Sequence, residues 1–391
     1  MFKRSAEALL EGYLKSDEKK IFFLWGPRRS GKTTLLRQLE RTYGYPLFNF
    51  DLQSDAEKFA PRREALSRLA ALGPVILIDE VQNAPETIKA LKVLHDEYKV
   101  KIIATGSSEL RQKTQDFDSL AGRFIEHYCY PLSTDELRLS MTVKPAEEED
   151  WYQSVAHDMQ IYGGYPEVLS TPISQRKERE DLLRSIVETY ILKDIVNIYD
   201  LRNSKIAYDL LRKIALQIGS EVSLRELANS LSTSAQTIAN YLQIFVKNHV
   251  LIALPSFKTN MRRAISEHKK YYFHDLGVRN ALIDDFRELH LRNDQGHVFE
   301  NFVISEVNKV LLNENIHRNL YFYREYSGAE VDLIIEDSEK TYLGVEFKLS
   351  APKKPMKTIF PLPHEQLLIT PGNYHRLLEH LRRPFPLTNH A

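Results

Sequence analysis

Short, mostly apolar runs alternate with longer stretches of helical period through the first third of the chain. The runs at 21–25 (Ile-Phe-Phe-Leu-Trp), 75–78 (Val-Ile-Leu-Ile) and 100–104 (Val-Lys-Ile-Ile-Ala) predict strands, and 124–130 closes the series. Runs this short, apolar on both alternating faces, are what a parallel sheet covered on two sides requires. Between them, Thr34-Leu-Leu-Arg-Gln-Leu-Glu40 has helical period. From 151 to 200 the pattern is mostly helical, broken into two pieces by Gly163-Gly164 and Pro166. Three further helices follow at 206–218, 224–231 and 235–248, and 250–254 starts a strand. Ser223 caps the second, with Glu226 at the capping-box position. The last hundred residues predict a helix at 297–312 and strands at 333–335 and 343–348.

The first strand runs directly into Gly26-Pro-Arg-Arg-Ser-Gly-Lys-Thr33. This fits G-x-x-x-x-G-K-[ST], the phosphate-binding P-loop, in its required setting of strand, glycine loop and helix. Gly26 and Gly31 let the backbone turn tightly enough to aim several N–H groups at one anion. The cradle is Gly26, Pro27, Arg28, Arg29, Ser30 and Gly31, continued by Lys32, Thr33 and Thr34 at the positive end of a helix. Lys32 is expected to reach the β- and γ-phosphates of ATP, and the Thr33 hydroxyl to ligate Mg²⁺. Asp79 and Glu80 stand at the C-terminal end of the 75–78 strand, the edge where open α/β sheets bind ligands. Asp79 is expected to hold Mg²⁺ and Glu80 to polarise the attacking water. The 100–104 strand ends in Thr105-Gly-Ser-Ser108, and either Thr105 or Ser107 is placed to sense the γ-phosphate.

With these phrases in hand, residues 1 to about 135 resemble an AAA+-type ATPase. The specific likeness is to prokaryotic ATPases in which that core is joined to a winged helix and a nuclease-like C-terminal domain of unknown function. Further phrases carrying it are Leu120-Ala-Gly-Arg-Phe124, Pro131-Leu-Ser133, Gly163-Gly-Tyr-Pro166, Phe273-His-Asp-Leu-Gly277 and Gly328-Ala-Glu-Val-Asp332. The resemblance implies an α/β fold: a P-loop AAA+ core at 1–146, a helical lid at 147–204, a winged helix-turn-helix at 205–290 and a restriction-endonuclease-like α/β domain at 291–391. It also implies an arginine acting on the γ-phosphate, often from a neighbouring subunit. Arg123 is the candidate, which makes a second copy of the chain a candidate partner. No arginine in the lid matches the second nucleotide-sensing position of such proteins.

Composition narrows the partners. The 391 residues carry 53 basic and 53 acidic side chains, a formal net charge of zero, which argues against coating nucleic acid through bulk charge. The single cysteine, Cys129, excludes an internal disulfide and a cysteine-based zinc site. No apolar run approaches the 18 or so residues that span a membrane, so the expected location is the cytoplasm, with no membrane partner.

In the winged-helix region the third helix would enter the major groove of double-stranded DNA. Its exposed face offers Gln236, Thr237, Asn240, Gln243 and Lys247, of which one is basic. Lys258, Arg262, Arg263, Lys269 and Lys270, set against Glu267, would make a basic wing. The alternative is a solvated loop on a protein-interaction module.

In the last domain a helix glutamate, Glu300, a strand aspartate, Asp332, and Glu346-Phe-Lys348 on the next strand follow the PD-(D/E)xK nuclease layout. Glu346 and Lys348 share a strand face. Glu300, Asp332 and Glu346 would bind Mg²⁺, and Lys348 would stabilise the phosphorane; Glu330 lies on the face of Asp332 and is placed to assist. Two function classes follow. In one, ATP hydrolysis drives or gates a nuclease. In the other, a nucleotide-driven switch or DNA- or protein-binding module carries a nuclease-like domain that does not cut.

Overall fold

The computed structural model describes residues 2–106, 115–189, 204–258, 269–325, 327–350 and 359–385. The chain divides into two compact units, Met1–Leu132 and Ser133–Ala391.

The first unit is built on a five-stranded sheet of order β2-β3-β4-β1-β5, parallel throughout. Its strands are β1 Ile21–Trp25, β2 Leu47–Asn49, β3 Val75–Asp79, β4 Lys101–Gly106 and β5 Phe124–Tyr128. The uniform hydrophobicity of β1 has a direct cause. Phe22 and Leu24 face a cluster with Leu35, Leu36 and Leu39 of the helix Lys32–Tyr43 and with Ala6 and Leu10 of the helix Ser5–Lys15. Ile21, Phe23 and Trp25 face the opposite cluster, with Phe48, Ile76, Ile78 and Leu91. Helices on both faces leave no polar side to alternate with. Because the strands are parallel, the ends of β1, β3 and β4 open on one edge.

The second unit holds two more sheets. The helices Ser204–Leu216, Leu224–Ser230 and Ala235–Lys247 are followed by β7 Leu251–Pro255 and β8 Lys269–Phe273, which pair antiparallel with each other. The short β6 Glu221–Val222 completes a sheet of order β6-β8-β7. The helix Gln295–Asn313 then leads into β9 Asn319–Arg324, β10 Glu330–Glu336, β11 Tyr342–Phe347 and β12 Glu365–Ile369, in sheet order β12-β11-β10-β9. β9, β10 and β11 run antiparallel and β12 joins β11 parallel.

Residues just after Leu132, expected in the first domain, group with the second unit. The backbone N–H and the hydroxyl of Thr134 donate to Glu306 of the helix Gln295–Asn313, at 2.7 and 2.8 Å, in a buried setting. Two of the sequence phrases lock together in this unit. A Cβ on Gly163 would lie 2.1 Å from an Asp275 oxygen, at a φ of +72°, and the Gly164 N–H donates to Asp275 at 2.7 Å. Asp275 in turn caps the helix Leu276–Ile283 through the N–H of Val278. Glycine at 163 is thus required by how closely the caps of two helices approach.

Candidate functional sites

The loop between β1 and its helix needs glycine at both ends. Gly26 has φ +153°, and a Cβ there would stand 2.3 Å from the carbonyl oxygen of Cys129. Gly31 has φ +100° and is the N-cap of the helix Lys32–Tyr43. Lys32 is buried, and its ammonium donates to the carbonyls of Gly26 and Pro27, 2.8 Å from each. The Ser30 hydroxyl is buried without a hydrogen-bond partner, an orphan polar atom inside a loop shaped for an anion. Arg28 and Arg29 are exposed, Thr33 is half-buried and Thr34 is exposed. The loop is fixed from beneath by Arg4, whose guanidinium donates to the carbonyls of Ser30 (2.7 Å) and Tyr130 (2.5 Å). Arg4 has no local signature; it follows the N-terminal Met-Phe-Lys and looks like a solvated helix start.

The second part of the site meets the loop at the same edge. β3 and β4 pair Ile78 with Ala104, so that Asp79 and Thr105 come level, and the Thr105 hydroxyl donates to Asp79. Both are buried. Thr105 is also in register with Leu24 of β1, next to the residue that enters the loop. Of the two sensor candidates, Ser107 lies outside the described residues. Glu80 follows in a left-handed conformation, φ +55°, and accepts a hydrogen bond from the Gln82 side chain. Gln82 was not apparent in the sequence, because the left-handed turn that brings it back to Glu80 has no glycine to announce it. Hydroxyl and carboxylate oxygens at Thr33 and Asp79 are the hard donors Mg²⁺ prefers.

Arg123 does not join this site. The Ile21 N–H donates to the Arg123 carbonyl, so Arg123 precedes β5 at the opposite edge of the sheet. Its guanidinium lies 2.9 Å from Asp96, which it holds below the ordinary carboxylate range, helped by His95. At about 3.3 Å per residue, the strand separates it from this subunit's loop by roughly 15 Å. Arg123 is thus paired with Asp96 at the end of the sheet away from the loop of its own chain.

The C-terminal charged residues lie around β10 and β11. Asp332 accepts the Phe347 N–H at 2.8 Å. Lys348 stands 3.1 Å from Glu346 and 3.9 Å from Asp332. Burial first, then the Glu300 charge and, against the Phe347 N–H, the Glu346 charge, push Asp332 up to about 7. Glu300, on the helix Gln295–Asn313, is engaged elsewhere. It accepts from the Tyr272 hydroxyl at 2.5 Å, lies 3.6 Å from the Lys270 ammonium and 3.4 Å from His297. Lys270 also pairs with Glu330, which a second cation, Arg324, approaches at 3.3 Å.

Two expectations are corrected here. Among the described residues, no three His, Cys, Asp or Glu side chains are grouped to hold a metal ion. Glu300 faces Lys270 and Glu346 faces Lys348, while the Asp332 carboxyl stays raised by burial and by the Glu300 and Glu346 charges. Lys270, expected on an exposed basic wing, is buried with its charge turned inward. Residues 259–268 of that wing, with Arg262, Arg263 and Glu267, lie outside the described residues. No helix among those described is long and apolar enough to cross a membrane.

Comparison with known proteins agrees with the geometry of the first unit. Residues 18–138 match a family model described as an AAA domain. Residues 154–289 and 295–375 match two models described only as domains of unknown function, DUF8612 and DUF4143. An uncharacterized protein of Mycobacterium tuberculosis is 28% identical over 84% of this chain and 70% of its own length. One of Methanocaldococcus jannaschii is 24% identical over 87% and 78% respectively. The AMPPCP-bound DnaA of Aquifex aeolicus superposes with a TM-score of 0.31 at 16% identity, covering 62% of this chain and 88% of that one, too distant to bear on function. Residues 18–138, which match the AAA domain model, carry the P-loop.

Proposed function

We propose that the first unit binds ATP with Mg²⁺ and hydrolyses it. The observation that carries this is the convergence, at one edge of the parallel sheet, of the P-loop with its buried Lys32 and the Asp79–Thr105 pair. Lys32 releases its loop carbonyls to contact the β- and γ-phosphates, while backbone N–H groups of residues 26–33 surround them. Thr33 and Asp79 supply the oxygen donors for Mg²⁺, which neutralises phosphate charge when bound. Glu80 orients the attacking water and accepts its proton once Gln82 lets go, and Thr105 fixes the orientation of Asp79. Phosphate release tests the assignment. Lys32→Ala should lose nucleotide binding or turnover. Glu80→Gln should retain ATP and fail to split it. Turnover at the wild-type rate in both would remove the hypothesis.

For the second unit we read residues 204–273 as a winged helix and the segment from Gln295 as a restriction-endonuclease-like fold. The support for the first is the order of three helices and a small antiparallel sheet; for the second, a helix followed by a sheet with Asp332 and Glu346 on adjacent strands and Lys348 just past the second. Gln236, Asn240, Gln243 and Lys247 are exposed on the helix Ala235–Lys247, which favours double-stranded DNA as the partner. The ion pairs at Glu300 and Glu346 favour binding without cleavage. The chain is then a nucleotide-driven switch acting on DNA.

A further inference from the structure

The restriction-endonuclease-like reading implies a divalent cation at the C-terminal carboxylates, and the residues present do not fit one. A metal site of this kind presents several carboxylates with spare lone pairs to a shared point. Here the two carboxylates nearest Lys270, Glu300 and Glu330, are already engaged by cations of the chain. Glu300, Glu330, Asp332 and Glu346 are faced by Lys270 from β8, Lys348 after β11, Arg324 from β9 and His297 from the helix of Glu300. Lys270 is the innermost of these cations. Its side chain is 5% exposed, and its ammonium contacts Glu330, stands 3.6 Å from Glu300 and lies over the Phe322 ring, 5.3 Å from its centre. The Tyr272 hydroxyl, two residues along the same strand, donates to the Glu300 oxygen that faces Lys270. Gly219 allows the chain to close over this group: at φ +76°, a Cβ there would sit 2.5 Å from His297 and 3.1 Å from Glu300.

We infer that the Lys270 ammonium occupies the place in which these carboxylates would otherwise hold a divalent cation, so that the C-terminal domain is built to work without metal. An ammonium supplies one fixed positive charge and three donors but no vacant coordination position, so it can balance carboxylates without activating water. Burial of a charge is tolerated where it is paired and hydrogen-bonded, as Lys270 is. The Glu330 and Glu300 carboxylates beside it supply that pairing. A metal arriving at Glu300 would have to expel this ammonium from an enclosed position.

The inference rests on the restriction-endonuclease-like reading only for the kind of ion displaced, and its test does not depend on DNA cleavage. Mn²⁺ binding is measured by electron paramagnetic resonance on the full chain without nucleotide. Wild type should bind none at the cluster. Lys270→Met should gain one Mn²⁺ per chain, and adding Glu300→Gln to that variant should weaken it at least tenfold. Lys270→Arg should stay silent. If Lys270→Met does not fold, Lys270→Gln carries the same comparison. Wild-type Mn²⁺ binding that Glu300→Gln abolishes overturns the inference, and so does a folded Lys270→Met or Lys270→Gln that binds none. DNA retention by wild type, measured on the same preparations, reports separately on the DNA-binding reading.

Discussion

At the scale of single residues, identical chemistry takes opposite roles according to its partners. Lys32 and Lys270 are both enclosed ammonium groups, yet one rests on backbone carbonyls and the other on carboxylates. Carbonyl contacts are readily exchanged for phosphate oxygens, whereas a buried ion pair is costly to break, about 3–5 kcal/mol when one partner is removed. Asp332 is the titrating member of the second group. Its folded pKa stands at about 7, above the ordinary value of 3.8, chiefly through burial and the Glu300 charge. The folded chain therefore binds this proton more tightly than the unfolded chain does. The stabilisation is fully present below the unfolded pKa and is lost as pH rises through about 7. Melting temperature followed from acid to neutral pH should fall for this reason, and Asp332→Asn should flatten that fall. An unchanged slope in the variant would show that the proton is held elsewhere.

At the scale of elements, what the sequence made legible depended on burial and on local rules. β1 and β3 could be read because strands covered on both faces are wholly apolar, and the P-loop because its glycines obey a local geometric need. β2 and β6 were too short to show a period, with three and two residues. β12, partly exposed along most of its length, gave none either. Arg4, Gln82 and Lys270 went unrecognised for another reason: each is defined by a partner distant in sequence or across a turn, and composition cannot signal that. Lys270 was the more misleading because its neighbours in sequence are basic. Its inward turn also lowers the charge left for DNA on the winged-helix reading. The helix Ala235–Lys247 presents amides more than cations, so few counterions would be released on binding. The expected result is weak duplex retention with a shallow salt dependence, the slope of log affinity against log salt being roughly −0.9 per phosphate contacted. Lys247→Ala should make it shallower by about one contact. No retention at low salt, or a steep slope unaffected by the substitution, would move the contact off this helix.

At the scale of the whole molecule, the parallel sheet separates two surfaces of the first unit. One edge carries the loop, Asp79, Glu80 and Thr105; the other carries Arg123 beside Asp96. An arginine placed away from its own nucleotide can reach one held by another copy, provided copies associate with these two edges facing. In that arrangement Arg123 would exchange Asp96 for the charge developing on the transferred phosphoryl group, where such an arginine contributes on the order of 10³-fold or more to turnover. The exchange is cheap, because a half-exposed ion pair is worth about 1 kcal/mol or less. Arg123→Ala should then keep its ATP affinity and lose turnover on that scale. Mixed with Lys32→Ala protein, which lacks phosphate binding but supplies the arginine, it should recover part of the activity in proportion to the mixed contacts formed. Wild-type turnover in Arg123→Ala would leave the residue a structural partner of Asp96. A loss that mixing does not repair would place its effect within one chain, against the sheet geometry.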